Sequence, residues 1–302
     1  MTNFRNLLRI SRPLLLLDAA LVYFLGVGIA RYLGATVDAG IFAIGLAWIL
    51  SLQIGAHYLY AYFRQTNLAD SPFAQRAYDL TNEKWRERWL KRDLPLWIAI
   101  TALTLTTSFT VLLIRSGQVS GGSIIVMALI ALGAYASSIP PLRLADTVYR
   151  GLIPSILLAN FVPALAFMLQ EPELHRLVSM STFPLTLLHY AMLLVFEFQD
   201  YAQDIKRERP MLLILMGWQR GMRLINLLVL STFLLFGLAM LMGLPNNVVW
   251  PTFLSLPLGL FLIWYLTRIG DGAKPVWHAL NITAMLTYGL AVYLLTFSFW
   301  TH

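Results

Sequence analysis

Residues 11–32 read SRPLLLLDAALVYFLGVGIARY. Between Pro13 and Ala30 the only charged side chain is Asp18. An apolar run of about 18 to 20 residues, wound as a helix, matches the hydrocarbon thickness of a bilayer. Arg5, Arg9 and Arg12 precede it, as basic residues precede a signal peptide. The apolar stretch is too long for a signal h-region and no convincing cleavage site follows, so 13–32 is read as a membrane span.

Working outward, eight further segments have the same character: 39–63, 94–114, 121–139, 151–170, 181–199, 223–243, 248–268 and 278–299. Composition agrees. The 302 residues are 58% hydrophobic and 12% charged, with mean hydropathy +0.68. A soluble domain of this size could not hide so much apolar surface behind a polar coat. The expected fold class is therefore all-α, a polytopic membrane protein of nine helices in one domain, 1–302. With no cysteine, disulfides, thiolate zinc sites, iron–sulfur clusters and cysteine nucleophiles are excluded.

The net charge of +7 is informative through its placement. Basic residues cluster in the N-terminus, in 64–93 (Arg64, Arg76, Lys84, Arg86, Arg88, Lys91, Arg92), near Arg143 and Arg150, in 200–222 and its border (Lys206, Arg207, Arg209, Arg220, Arg223), and at Arg268 and Lys274. Arg31, Arg115 and Arg176 alone fall on the other side. The positive-inside rule then expects the N-terminus in the cytoplasm and the C-terminus opposite. A basic charge spread over membrane-side loops reads as topology, and no nucleic-acid partner is expected.

Acidic residues follow the same geography, so polar chemistry is expected at the cytoplasmic end, in loops 64–93 and 200–222. Within 64–93, residues 81–92 read as a short helix with Asn82 at its cap and Trp85 and Trp89 on one face. It is expected to lie in the membrane interface; a substrate-covering lid is the alternative. Around 200, if the preceding span continues as a helix, Glu197, Asp200 and Asp204 share one stripe. Three carboxylates so placed suit a hard divalent cation such as Mg²⁺, which bridges to phosphate oxygens, with Lys206, Arg207 and Arg209 beyond to meet remaining charge. A solvated helix end with i, i+4 carboxylates is the plain alternative. Inside the spans, Asp18 is expected to be hydrogen-bonded in helix packing, His57 to be a satisfied packing histidine, and His189, Asn160, Asn226 and Asn281 to bond between helices.

Several motifs carry a family resemblance. The stretch 196–204, FEFQDYAQD, followed by Arg209, resembles the second aspartate-rich motif of the UbiA superfamily of intramembrane prenyltransferases, closest to the dihydroxynaphthoate branch. Arg9-Ile10-Ser11-Arg12-Pro13 resembles that family's opening, Gly55-Ala56-His57 with Tyr62-Phe63 the end of its second span, and Pro140-Pro141-Leu142-Arg143-Leu144 with Tyr149-Arg150-Gly151-Leu152 its proline loop. The resemblance implies a nine-helix bundle around a central cavity open at the cytoplasmic side. It implies transfer of a prenyl group from a prenyl diphosphate to an aromatic or quinone-precursor acceptor, with Mg²⁺ as cofactor. Residue by residue it implies Asp200 and Asp204 as catalytic, Asp200, Asp204, Asp70 and Glu197 as metal ligands, and Arg64, Arg143, Lys206 and Arg209 on the diphosphate.

The first aspartate-rich motif departs from the pattern. Tyr60 stands where the family has Asn, Arg64 where it has the first Asp, and only Asp70 falls on the later Asp. Phe196, Glu208 and Met211 also replace motif residues, and Ile153-Pro154 replace Gly-Glu. Two readings follow. In one, a transferase works with one metal site, and arginine contacts phosphate in place of a second cation. In the other, the bundle is a scaffold that binds lipid, quinone or pigment as an accessory subunit of a membrane complex. A secondary transporter would want repeated halves, and no repeat is found.

Overall fold

The structure, a computed structural model, describes residues 10–66, 83–140, 142, 144–206 and 211–302; at 64–66, 83–92, 200, 202–204 and 206 it describes the backbone only. Every regular element among the described residues is helical. The long helices are α1 (Pro13–Tyr32), α2 (Ala39–Thr66), α3 (Glu83–Arg115), α4 (Gly121–Ser138), α5 (Leu152–Met168), α6 (Arg176–Lys206), α7 (Trp218–Leu241), α8 (Asn246–Gly270) and α9 (Trp277–Thr301). Short helical turns at Leu144–Asp146 and Leu212–Met216 lie between them.

Local sequence explains the boundaries. Pro13 opens α1, where its missing N–H costs nothing. Asp38 caps α2, its Oδ1 accepting from the backbone N–H of Gly40 at 2.7 Å and Ile41 at 3.0 Å. Ser120 does the same for α4 through the Ser123 N–H. Gly34 and Gly217, with φ of 96° and 79°, take the positive-φ backbone that glycine permits after α1 and before α7.

Eight of the nine helices are long and apolar enough to cross a membrane, and the chain is an integral, multi-pass membrane protein. The segment expected as the fifth span is the exception. Helix α5 has 17 residues, and its middle, Leu157–Phe161, is a π-helical turn. It still runs between the two ends of the bundle: Asp146 beside its start bonds Tyr60 near the C-terminus of α2, and Gln170 beyond its finish bonds the Asp38 N–H before the N-terminus of α2. At 1.5 Å per residue it measures about 25 Å, short of the roughly 30 Å hydrocarbon core. Enclosure by protein explains how a short helix is tolerated, since Val162–Met168 are all buried.

The separate interfacial helix expected over 81–92 is instead the start of α3, which continues through Pro95 without a break. Pro95 removes only its own N–H bond to the carbonyl four residues back. Asn82, expected at the cap, lies outside the described residues. Helix α6 likewise outruns its span by a further turn and more, to Lys206, so 200–206, assigned to the loop 200–222, is the helical continuation on which the shared stripe of Glu197, Asp200 and Asp204 depended.

Helix α1 sits at the centre, packed on α5 and α9; α2 pairs with α3, and α6 packs on α7 and α9. Leu25 through Ala30 are buried on every side of α1. Such an approach needs small residues. A Cβ at Gly26 would fall on the carbonyl oxygen of Pro163 and 2.8 Å from the Ala166 Cβ. Polar side chains tie the layers together where apolar packing gives no direction. The Trp48 indole donates to Thr110 at 2.7 Å between α2 and α3, and the Trp300 indole donates to the Phe24 carbonyl at 2.9 Å between α9 and α1.

Candidate functional site

The bundle encloses a cavity of about 660 Å³, within the range of small-molecule sites. Its wall is mainly Leu, Ile, Ala, Met and Pro side chains from α1, α2, α4, α5, α6 and α9. Apart from Ser137 and Ser138 on α4, its polar residues fall in two tiers. At the end of the bundle where α1 begins and α2 finishes are Arg12, His57, Tyr60, Arg150 and Glu197; farther in are Gln53, Asp18, His189 and Tyr288.

The outer tier forms a mouth. Arg12 precedes α1 and holds a left-handed backbone, φ 48°, the one such non-glycine residue among those described. An L side chain adopts that conformation at a cost, and costs of this kind gather at functional sites. Tyr60 donates its hydroxyl to Asp146 Oδ1 at 2.9 Å, tying α2 to the segment after the proline loop. Arg150 reaches Met211, with Nη1 3.3 Å from Sδ. Glu197 is 8% exposed. A Cβ at Gly151 would meet the Tyr190 ring at 3.1 Å and Glu197 Oε1 at 3.5 Å, so glycine here lets the start of α5 lie against the Glu197 face of α6. His57 Nδ1 donates to the Ser11 carbonyl at 3.3 Å, the packing role expected of it.

The sequence-expected ligands divide sharply. Glu197 is on the cavity wall. Asp200, Asp204 and Lys206 lie on the terminal turns of α6, where 197, 200 and 204 stand at i, i+3 and i+7 on one helical face. Arg64 lies in the last turn of α2. The side chains of these four residues at 64, 200, 204 and 206 are outside the described set, and Asp70, Arg143 and Arg209 lie wholly outside the described residues. Among the described residues no cluster of three or more His, Asp or Glu offers a metal site.

Sequence reasoning missed Arg150, Arg12, Asp146 and Gln53 as cavity or mouth residues. Arg150 was within reach, since it lies in the Tyr149-Arg150-Gly151-Leu152 motif; Gln53 carried no signal beyond being polar inside a span. Asn281 bonds between helices as expected, donating to Gln199 Oε1 at 2.7 Å. Asn226 does not match its expectation: its Oδ1 is buried with no hydrogen-bond partner.

The bond from Tyr60 gives a first prediction. Tyr60→Phe keeps the ring and removes one hydrogen bond to a carboxylate, about 1 to 2 kcal/mol. The expected result is a melting temperature lower by a few degrees in detergent, with the helical circular dichroism unchanged.

No protein-family model and no curated protein matches the chain. Solved structures do. A UbiA homologue from Archaeoglobus fulgidus superposes with a TM-score of 0.60 at 17% identity, over 95% of this chain and 98% of that one. The chain has the UbiA-type fold. The same homologue bound to GPP and Mg²⁺ matches at a TM-score of 0.56 and 16% identity, over 96% and 99%. A digeranylgeranylglyceryl phosphate synthase matches at 0.65 and 12% identity over the full length of both chains. At these identities the likeness is one of fold. Within a UbiA-type bundle, the 660 Å³ cavity with its polar mouth at the α2 and α6 C-termini is where chemistry specific to this chain is to be sought.

Proposed function

We propose that the chain is a UbiA-type membrane prenyltransferase that binds a prenyl diphosphate at the mouth and passes its prenyl group to an aromatic, quinone-precursor acceptor. The observation that carries this reading is the cavity itself. Its wall is mainly apolar, it is large enough for an isoprenoid chain, and it is ringed at one end by Arg12, Arg150, Tyr60 and Glu197. A homologue of this fold has been solved with GPP and Mg²⁺. On this reading the mouth is cytoplasmic, as the basic loops require, and the C-terminus lies on the opposite side.

The donor set fits half of the expected metal chemistry. Glu197 is buried at the mouth, and the α6 face it stands on continues through 200 and 204, so Asp200 and Asp204 with Glu197, joined by Asp70, would hold Mg²⁺. The α2 side offers a phenol committed to Asp146 in place of a ligand. When bound, the metal neutralises charge on the departing diphosphate. The protein's own residues do the rest. Arg12 and Arg150, with Arg64, Arg143, Lys206 and Arg209, supply guanidinium and ammonium groups for phosphate oxygens. The dry apolar wall excludes water from the allylic carbon.

One observation favours the second reading. The hydroxyl at position 60 is used as a strut to Asp146, which is what a scaffold that no longer binds a first metal would retain. Titration of a non-ionisable prenyl thiodiphosphate into the protein in nanodiscs separates the two. The transferase reading expects affinity to fall at least about tenfold when Mg²⁺ is removed with EDTA. Metal-independent binding, or none, would replace it with the scaffold reading.

A further inference from the structure

The inner tier of the cavity holds a polar cluster that the diphosphate chemistry does not use. Asp18 on α1 faces His189 on α6, with Oδ2 3.2 Å from Nε2; the two side chains are 10% and 1% exposed. His189 Nδ1 lies 2.9 Å from Ser155 Oγ on α5, and that hydroxyl donates to the Gly151 carbonyl at 2.7 Å. The proton inventory follows. Because the Ser155 hydrogen is committed to a carbonyl, its oxygen accepts, so His189 Nδ1 carries a proton. Asp18 Oδ2 and His189 Nε2, 3.2 Å apart, are both buried without a hydrogen-bond partner. The carboxylate keeps acceptor capacity toward the cavity. Tyr288 on α9 brings its hydroxyl beside the same carboxylate, and its ring lies 4.9 Å from the imidazole, edge to face. From α2, Gln53 presents a buried Oε1 with no hydrogen-bond partner into the same space.

A carboxylate and an imidazole inside a membrane bundle are costly, and apolar residues of similar volume would pack at least as well. Helix packing alone gives no reason for four polar side chains from four helices to converge on one cavity wall. The wall is also unbalanced. Beside the Tyr288 hydroxyl, itself without a partner, Asp18 Oδ2 and Gln53 Oε1 are buried acceptors without one, which an ether or an apolar ring cannot satisfy and a hydroxyl can. The π-helical turn of α5 begins two residues after Ser155 and contributes Leu157 and Leu158 to the same wall, a placement π-turns often take at binding sites.

We propose that Asp18, His189, Tyr288 and Gln53 form the binding site for the hydroxylated aromatic head of a ligand held inside the bundle. Along α6, position 189 is eight residues from Glu197, about 12 Å at helical rise. That spacing leaves room for an allylic carbon below the mouth and one aromatic ring system between it and the cluster. On the transferase reading, on which this identification of the ligand as the acceptor rests, the cluster selects an acceptor that carries a hydroxyl and turns its reactive ring toward the mouth. The binding site itself does not depend on catalysis.

The test uses two probes of nearly the same shape, 2-naphthol and 2-methoxynaphthalene, titrated by fluorescence into the nanodisc-embedded protein, with empty nanodiscs as the partition reference. The wild-type protein should bind the naphthol about ten- to a hundredfold tighter than its ether. In Asp18→Leu/His189→Leu, a swap that leaves no lone buried charge, the naphthol should fall to the level of the ether. Tyr288→Phe should narrow the gap and serves if the double variant does not fold. Equal binding of both probes to the wild type overturns the proposal without any variant. A double variant that melts lower yet keeps its preference for naphthol assigns the cluster to helix packing and overturns it too. Thiodiphosphate titrated in parallel keeps the two readings apart. Failure there with naphthol selectivity intact removes the transferase reading and leaves the head-group site standing, and the converse removes only the site.

Discussion

Gly26→Val should yield no folded bundle that survives extraction and gel filtration, while Gly237→Ala should be recovered at wild-type level. The two glycines differ in what their missing side chains would meet. At Gly26 even a single Cβ falls on the Pro163 carbonyl oxygen and lies 2.8 Å from the Ala166 Cβ. Neither partner can swing away: one is backbone of α5, and the other is a methyl fixed to it. Val162 to Met168 are buried around the contact, so this part of α5 cannot retreat without displacing its neighbours. Overpacking of a dense core typically costs about 1 to 3 kcal/mol, and a branched side chain against backbone at a helix crossing should reach about 3 kcal/mol or more. At Gly237 on α7 nothing lies within 4 Å of the place a Cβ would occupy, and alanine there improves helix propensity. The comparison is read as monodisperse yield and thermal melting in detergent. A Gly26→Val protein that melts with the wild type would mean that α1 and α5 do not meet as described.

The second large effect concerns the mouth. Asp204→Asn keeps size and polarity but removes the charge through which a carboxylate holds a hard cation. In the presence of Mg²⁺, its affinity for a prenyl thiodiphosphate should fall by about tenfold to a hundredfold, to the level the wild type shows in EDTA. Asp200→Asn should behave alike. Glu197→Gln offers the internal comparison, because Glu197 is buried at the mouth on the same face of α6. If all three bind as the wild type does, metal chemistry is absent from this bundle and the scaffold reading stands. The melting temperature should move little for the residues at 200 and 204, at the end of α6, and this separates a lost ligand from a lost fold.

Much of the architecture was legible because a bilayer imposes a one-dimensional rule. A helix must bury every backbone polar group within itself and must be about 20 apolar residues long, so length and composition alone expose it. The places where the reading slipped are those where protein stands in for lipid. Helix α5 was expected as a full span and is short and π-turned, because its neighbours shield it and length is no longer required. The short helix expected over 81–92 is not separate from the span at 94–114, because the one N–H bond missing at Pro95 does not outweigh a helix that continues on both sides. Lys206 was expected in a loop and ends a helix, because a polar helix end extending into water has no hydropathy signature.

The candidate site was legible in proportion to how local its signals are. Glu197, Asp200 and Asp204 declare themselves by a spacing within one helix. Arg150, Gln53 and Ser155 do not: each becomes part of a site through partners from other helices. Asp18 and His189 were both noticed as polar groups inside spans, each read as a packing residue, and nothing in the chain connects two residues 171 positions apart.

By itself, then, the sequence determined that this protein is a multi-pass helical membrane protein, because hydrophobic length is a property of single helices, and the resemblance of its motifs pointed to the UbiA-type fold. Only the tertiary structure decided that Gly26 admits α5, that Tyr60 is spent on Asp146, and that an acid, an imidazole, a phenol and an amide share one cavity wall. Those are distances between helices, and they are set by packing that hydropathy does not encode.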